Sequence, residues 1–137
     1  IYIPHHITMI DVIIPTYNRA QSLPNVMDSY LSQQHVGKII FVDDCSTDNT
    51  AEYIAELLRI HPEKIIYHRM PEKSTLPNNR NVGVSLASAE YIFMGEDDVW
   101  LPSDHFKILL EKMNEYGADI ISGRRVNWYA DQQVEDA

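Results

Sequence analysis

Short apolar runs alternate strictly with segments of helical spacing along this chain, and that alternation constrains its fold more than any other feature. Ile10–Ile14, Lys38–Val42, Lys64–Tyr67, Tyr91–Met94 and Ala118–Ser122 are rich in Ile, Val and aromatics and bounded by Pro, Asp or Gly, as buried strands are. Between the first two, Ser22 can cap a helix with Pro24 in its first turn, running through Val26, Met27, Tyr30 and Leu31. Asp48 or Thr50 can cap a second, whose Ala51, Ile54, Leu57 and Leu58 share a face before Pro62. A third starts near Pro77 and turns Val82, Leu86 and Ala89 inward; a fourth, capped by Ser103, buries Phe106, Leu109, Leu110, Met113 and Tyr116 before Gly117. The order βαβαβαβαβ, with short connections, predicts an α/β fold: a mostly parallel sheet with helices on both faces and right-handed crossovers. Val126–Tyr129 offers one further short strand. Asp131–Ala137 is polar, acidic and aperiodic, and reads as a tail or the start of a further region.

At 137 residues the chain is long enough for one self-sufficient core. Residues 1–8 read as an extension ahead of Met9, 9–130 as the folded domain and 131–137 as the acidic tail. Twenty acidic against eleven basic residues give a formal charge of −9, which argues against nucleic-acid or anionic-membrane binding by long-range repulsion, though not against a phosphorylated ligand neutralised by a metal. Cys45 is alone, so no disulfide framework or cysteine zinc site is expected, and a reducing compartment fits best. No stretch approaches the roughly 18 to 20 apolar residues that cross a bilayer, and no basic-then-apolar leader opens the sequence. The expectation is a cytoplasmic chain, reaching the inner face of a membrane only through other regions or partners. His5-His6 reads as incidental, and His35, His61, His68 and His105 lack metal-ligand spacing.

Acidic pairs stand where strands run out: Asp43-Asp44 after Lys38–Val42, and Asp97-Asp98, extended by Glu96, after Tyr91–Met94. The carboxyl ends of parallel strands are where α/β sheets hold ligands, so both pairs point to one crevice. Three acids at one strand tip repel one another unless water or a cation relieves them, and hard oxygen ligands suit Mg²⁺ or Mn²⁺. Asp43-Asp44 can accept hydrogen bonds from a base or ribose, while Ser46, Thr47 and Asp48 more simply begin the next helix and Cys45 fills a small space. Pro15-Thr16-Tyr17-Asn18-Arg19 offers a hydroxyl, an aromatic face, an amide and a guanidinium to a base and a phosphate; a plain turn with Tyr17 in the core is the competing reading. Pro77-Asn78-Asn79-Arg80-Asn81-Val82-Gly83 opens a helix, where capping accounts for Asn78 and Asn79, Arg80 suits an anion, and Gly83 marks close packing. Trp100 and Pro102 frame the pocket wall, unless Trp100 joins the core.

Taken together, Val12–Arg19, Ile40–Thr50, Asn79–Gly83 with Ala87, and Glu90–Pro102 resemble the N-terminal, nucleotide-sugar-binding half of family 2 glycosyltransferases of GT-A fold. The resemblance runs from Met9 to about Val126. It implies a Rossmann-like donor-binding domain that serves transfer of a sugar from a UDP- or GDP-sugar to an acceptor hydroxyl, inverting and Mn²⁺- or Mg²⁺-dependent. Pro15, Thr16, Tyr17 and Arg19 then line the donor nucleotide, with Tyr17 stacked on the base and Asp44 bonded to it beside Asp43. Arg80 and Asn81 match an Arg-Asn pair near the diphosphate and sugar, and Glu96, Asp97 and Asp98 match the Asp-x-Asp motif that touches ribose and metal.

Three departures qualify the match. The family usually has Gly where Cys45 stands. The acidic motif begins with Glu96 or, in another register, has Gly95 for its first Asp, which leaves the metal ligand between Asp98, favoured, and Asp97. The acceptor-binding half that carries the general base has no counterpart here: Asp104, Glu111, Glu115 and Asp131 lack its position, so the base and the acceptor, glycan or lipid-linked, are not assigned. Three other classes fit less well. A receiver domain needs its acids after the first and third strands, a dinucleotide domain needs Gly-x-Gly-x-x-Gly after the first, and sugar-phosphate nucleotidyltransferases need a Gly-rich basic loop there. A domain that holds a nucleotide without turning it over is the alternative that stands.

Overall fold

The computed structural model describes residues 8–124 and the backbone of two strands, Val126–Tyr129 and Gln132–Glu135. The expected extension, apart from Thr8, lies outside the described residues, as do Asp131, Asp136 and Ala137 of the expected tail. Contacts divide the chain into two compact units, Ile1–Phe106 and Lys107–Ala137.

The first unit holds β1 (Ile10–Thr16), α1 (Leu23–Leu31), β2 (Val36–Asp43), α2 (Thr50–Ile60), β3 (Ile65–Arg69), α3 (Leu76–Leu86), β4 (Tyr91–Met94) and the start of α4 (His105–Tyr116). The strands form one parallel sheet in the order β3-β2-β1-β4. The chain steps outward from β1 to β3, then returns through α3 to place β4 on the other side of β1. The order therefore reverses between β1 and β4, the switch point at which such sheets open a crevice.

Successive residues of the central strands are fully buried, Val12, Ile13 and Ile14 in β1 and Ile39, Ile40 and Phe41 in β2, so both sheet faces are covered. On one face Ile13, Ile40, Val42 and Met70 cluster under Val82 and Leu86 of α3 and Ala87. A Cβ on Gly83 would lie 2.3 Å from Ile13 Cγ2, so its absence is what lets α3 approach the sheet so closely. Elsewhere in this unit Phe93 of β4 meets Tyr30 of α1 and Phe106 at centroid distances of 6.4 and 5.0 Å. At the amino ends of the strands Asp11 is 2% exposed and accepts hydrogen bonds from the backbone of Lys38, Ser88 and Ala89, which ties β2 and the α3–β4 connection to β1.

The helix starts follow the sequence with small shifts. Ser22 takes the cap position of α1 without a side-chain bond, Asn49 precedes α2 while Asp48 accepts from Thr50, and Thr75 caps α3 by accepting from the Asn78 amide. Ala89 lies beyond α3, and α4 begins at His105, two residues past Ser103.

In the second unit Leu109 and Met113 are buried as the spacing predicts, whereas Tyr116 is exposed. Ala118 donates to Met113 O across a left-handed Gly117 and ends the helix. Ala118–Ser122 is not a strand, contrary to expectation, and Ile120 is 89% exposed. Without a partner edge Ile120 stays open to solvent and Ile121 is only partly buried, and none of the described strands pairs with them. The strand expected at Val126–Tyr129 forms β5 and pairs antiparallel with β6 (Gln132–Glu135), which the sequence left in the aperiodic tail. Among the described residues no helix is long and apolar enough to cross a membrane.

Candidate functional site

The loops after β1 and β2 are laced together. Asn18, held in the left-handed region at φ 51°, accepts at Oδ1 from the Thr47 and Asp48 amides at 2.7 and 3.2 Å. Its own amide donates to Ser46 Oγ at 2.9 Å, the Arg19 amide to Thr50 Oγ1 at 2.9 Å, and the Ala20 amide to Asp48 Oδ2 at 3.2 Å. Asn18 and Asp48 thus act as fasteners, which leaves Tyr17 and Arg19 facing outward.

Asp43 and Asp44 are adjacent and do different things. Asp43 is fully buried; Oδ1 accepts from the Ser46 amide and hydroxyl at 2.9 and 2.6 Å, and Oδ2 from Tyr67 Oη at 2.6 Å and Arg69 Nη1 at 3.0 Å. Parallel register sets Arg69 opposite Asp43. Burial, and then the Asp43 bond, push the Tyr67 phenol above its ordinary pKa. Asp44 accepts at Oδ1 from the Ser74 amide at 2.7 Å, which anchors the segment before α3.

The loop after β4 is gripped by α1. Buried Tyr30 donates its hydroxyl to Glu96 O at 3.1 Å and accepts from the Glu96 amide at 3.2 Å, and burial raises its pKa to about 12. Ser29 Oγ accepts from the Leu101 amide at 3.0 Å, while Gln33 donates to Pro102 O at 2.6 Å and accepts from the Phe106 amide at 3.0 Å. Gly95 donates to Ile13 O at 2.8 Å, and a Cβ there would lie 2.9 Å from Val12 Cγ1. Together these fix where the acids after β4 point.

Between these loops lies a cavity of about 230 Å³ lined by Pro15, Thr16, Tyr17, Arg19, Asp44, Leu76, Asn79 and Asp97. Arg19 Nε and Asp97 Oδ1 are 3.3 Å apart and bridge the β1 and β4 loops across the switch point. Burial raises the pKa of the Asp97 carboxyl, while Thr16 and the Arg19 charge pull it back. Among the described residues Thr16 Oγ1 is buried and makes no hydrogen bond of ordinary geometry; Asn79 Oδ1 and Arg80 Nε share that condition. Tyr17 is 40% exposed rather than core, and Lys73 Nζ sits 3.4 Å from its ring centroid. Trp100 is 63% exposed, so it is not core either.

Of the expected site residues the cavity gathers Pro15, Thr16, Tyr17, Arg19, Asp44 and Asp97, while Asp43, Arg80, Asn81, Glu96 and Asp98 are not in its lining. Asp43 is withdrawn because four protein donors already occupy its two oxygens. Leu76 and Asn79 join the lining from the segment that Asp44 anchors, and Lys73 of that segment lies over the Tyr17 ring. Among the described residues no three His, Cys, Asp or Glu side chains converge as a metal cage. Adjacent carboxylates still suit a hard cation that keeps most of its shell for water and phosphate, as Mg²⁺ does. A larger cavity of about 710 Å³ opens at the amino ends of the strands, but its buried carboxylate, Asp11, is consumed by backbone donors.

The sequence profile of glycosyl transferase family 2 matches residues 11–134. The chain belongs to that family. It is 32% identical over 127 residues to the glycosyltransferase GlyA of Streptococcus pneumoniae, a match spanning 92% of this chain and 18% of that protein. The S. aureus TarS structure in complex with UDP-GlcNAc superposes with a TM-score of 0.70 at 25% identity over 80% of this chain and 32% of that one. The mannosyltransferase PcManGT from Pyrobaculum calidifontis, in complex with GDP-Man and Mn²⁺, gives 0.71 at 22% identity over 80% of this chain and 33% of that one, a likeness of fold. The fold is thus the GT-A fold of these glycosyltransferases, and the chain spans a fifth to a third of the relatives compared. Family 2 membership also makes sense of Cys45, where Gly is usual: its φ is 65°, a conformation that favours glycine. Its thiol donates to Met70 O at 3.2 Å and packs on the Ile13 cluster.

Proposed function

We propose that this family 2 domain binds the nucleoside diphosphate of a sugar donor in the crevice between the β1, β2 and β4 loops and serves inverting, metal-dependent transfer to an acceptor hydroxyl. The observation that carries this reading is the convergence of Tyr17, Asp44, Arg19 and Asp97 from three strand ends on one cavity. Tyr17 stacks on the base in place of the Lys73 ammonium, and Asp44, whose Oδ2 has no donor among the described residues, accepts from it. Asp97, partly neutralised by Arg19, faces the ribose side, and Arg80 and Asn81 approach the diphosphate from α3 beyond its first turn.

Asp98 is exposed and lies beside Asp97, which supports it as the main carboxylate for Mn²⁺ or Mg²⁺. When bound, the cation neutralises charge on the departing diphosphate. The lining carboxylates, Asp44 and Asp97, are both taken by donor-side roles, so the base that deprotonates the acceptor comes from outside this cavity. Incubating the 137-residue chain with labelled UDP- and GDP-sugars, Mn²⁺ and a panel of acceptors tests the assignment. Transfer or donor hydrolysis supports catalysis by this chain; donor binding with neither leaves a nucleotide-sugar-binding domain, and no binding removes the reading.

A further inference from the structure

We propose that Asn79 reads the base of the donor nucleotide, an inference that rests on the donor-site reading above. Asn79 stands in the first turn of α3, is 3% exposed and lines the cavity with Tyr17 and Asp44. Its backbone amide makes a helical bond to Thr75 O at 2.9 Å, the start of the helix is capped by Thr75 Oγ1, which accepts from the Asn78 amide at 3.4 Å, and Asn78 Nδ2 donates to Ser74 Oγ at 2.7 Å. Helix capping, the ordinary reason for an asparagine here, is thus met without the Asn79 side chain. Its Oδ1 is buried with no hydrogen bond among the described residues, a loss of hydration that an apolar residue in its place avoids. A buried amide oxygen without a partner among the described residues, at the wall of the cavity, points to a partner that arrives with the ligand.

The position of Asn79 favours the base over ribose or phosphate. The segment 73–79 is anchored on the base side: Ser74 donates to Asp44 Oδ1 at 2.7 Å and Lys73 covers the Tyr17 ring. Asn79 follows one helical turn after Thr75, whereas the Arg19–Asp97 pair lies across the switch point. Asp44, when ionised, only accepts, so it matches an N–H on uracil or guanine alike. An amide is different: turned one way it accepts, turned the other it donates, and the groups flanking that N–H are a carbonyl on both sides in uracil but a carbonyl and an amino group in guanine. Beside Asp44, Asn79 is therefore a lining side chain able to separate the two bases.

The test titrates UDP and GDP, each with Mn²⁺, into the unaltered chain and into Asn79→Leu and Asn79→Ala, with thermal unfolding of all three. For the nucleotide bound more tightly by the unaltered chain, Asn79→Leu is expected to weaken binding about tenfold while the other changes less than about twofold, one hydrogen bond's worth of discrimination. The Leu variant is also expected to unfold at the same or a higher temperature, since the orphaned amide is gone. Equal losses for both nucleotides, unchanged affinities, or a lower unfolding temperature in both variants without loss of discrimination would overturn the inference alone. Failure of the unaltered chain to bind either nucleotide overturns the donor-site reading and this inference with it.

Discussion

Asp43 and Asp44 show how far neighbouring side chains diverge once register places them. Asp43 holds four donors from its own turn and from β3, and removing it strands Ser46, Tyr67 and Arg69. Asp43→Ala is expected to cost about 3 kcal/mol in denaturant unfolding, with any effect on nucleotide binding secondary to that loss. Asp44→Ala loses one bond to Ser74 and is expected to stay within about 1 kcal/mol of the unaltered stability. Nucleoside diphosphate affinity should nevertheless fall about tenfold or more in that variant. The reverse ranking of the two variants would contradict their assigned roles. Sequence placed both at the strand end but could not separate them, because Tyr67 and Arg69 reach Asp43 only through β2–β3 pairing. Asn79 was hidden for a similar reason: its chemistry depends on a cavity partner 35 positions away, and helix capping was a sufficient local reading.

At the scale of elements, β1 to β4 and the four helices were legible because each couples a burial pattern to a local punctuation such as Pro24, Pro62, Pro77 or Gly117. Ala118–Ser122 failed and Gln132–Glu135 surprised for one physical reason: a strand needs an edge to pair with, which composition does not encode. Close approach was legible at Gly83, and the clash there outweighs helix propensity. Ala gains about 1 kcal/mol over Gly in a helix, whereas forcing a methyl against Ile13 costs about 1 to 3 kcal/mol. Gly83→Ala is therefore expected to lower the denaturant midpoint, and a raised midpoint would contradict the packing of α3 on β1.

The start of α4 supplies a pH test. Burial depresses the His105 pKa, partly offset by the Asp104 charge, and its ring meets Phe93 edge-on at 5.7 Å. The folded imidazole thus takes up its proton at lower pH than the unfolded one. Its contribution to stability is complete above the unfolded value of about 6.5 and is lost as pH falls from there through the folded value. His105→Gln should flatten that part of the stability–pH curve; an identical slope in both proteins would count against a half-buried neutral imidazole.

Over the whole molecule, a formal charge of −9 and an acidic crevice mean that a diphosphate approaches against the field unless a cation comes with it. Under the proposed function a metal is then a condition of donor binding, and the carboxylate best exposed to hold it is Asp98, with Asp97 already facing Arg19. Calorimetric titration of UDP and GDP into the chain, with and without Mn²⁺ and repeated with Asp98→Ala, tests this most directly. Binding of at least one nucleotide is expected to strengthen about tenfold or more with Mn²⁺ and to lose that gain in the variant. Nucleotide affinity indifferent to Mn²⁺, or an undiminished metal effect in Asp98→Ala, would contradict it.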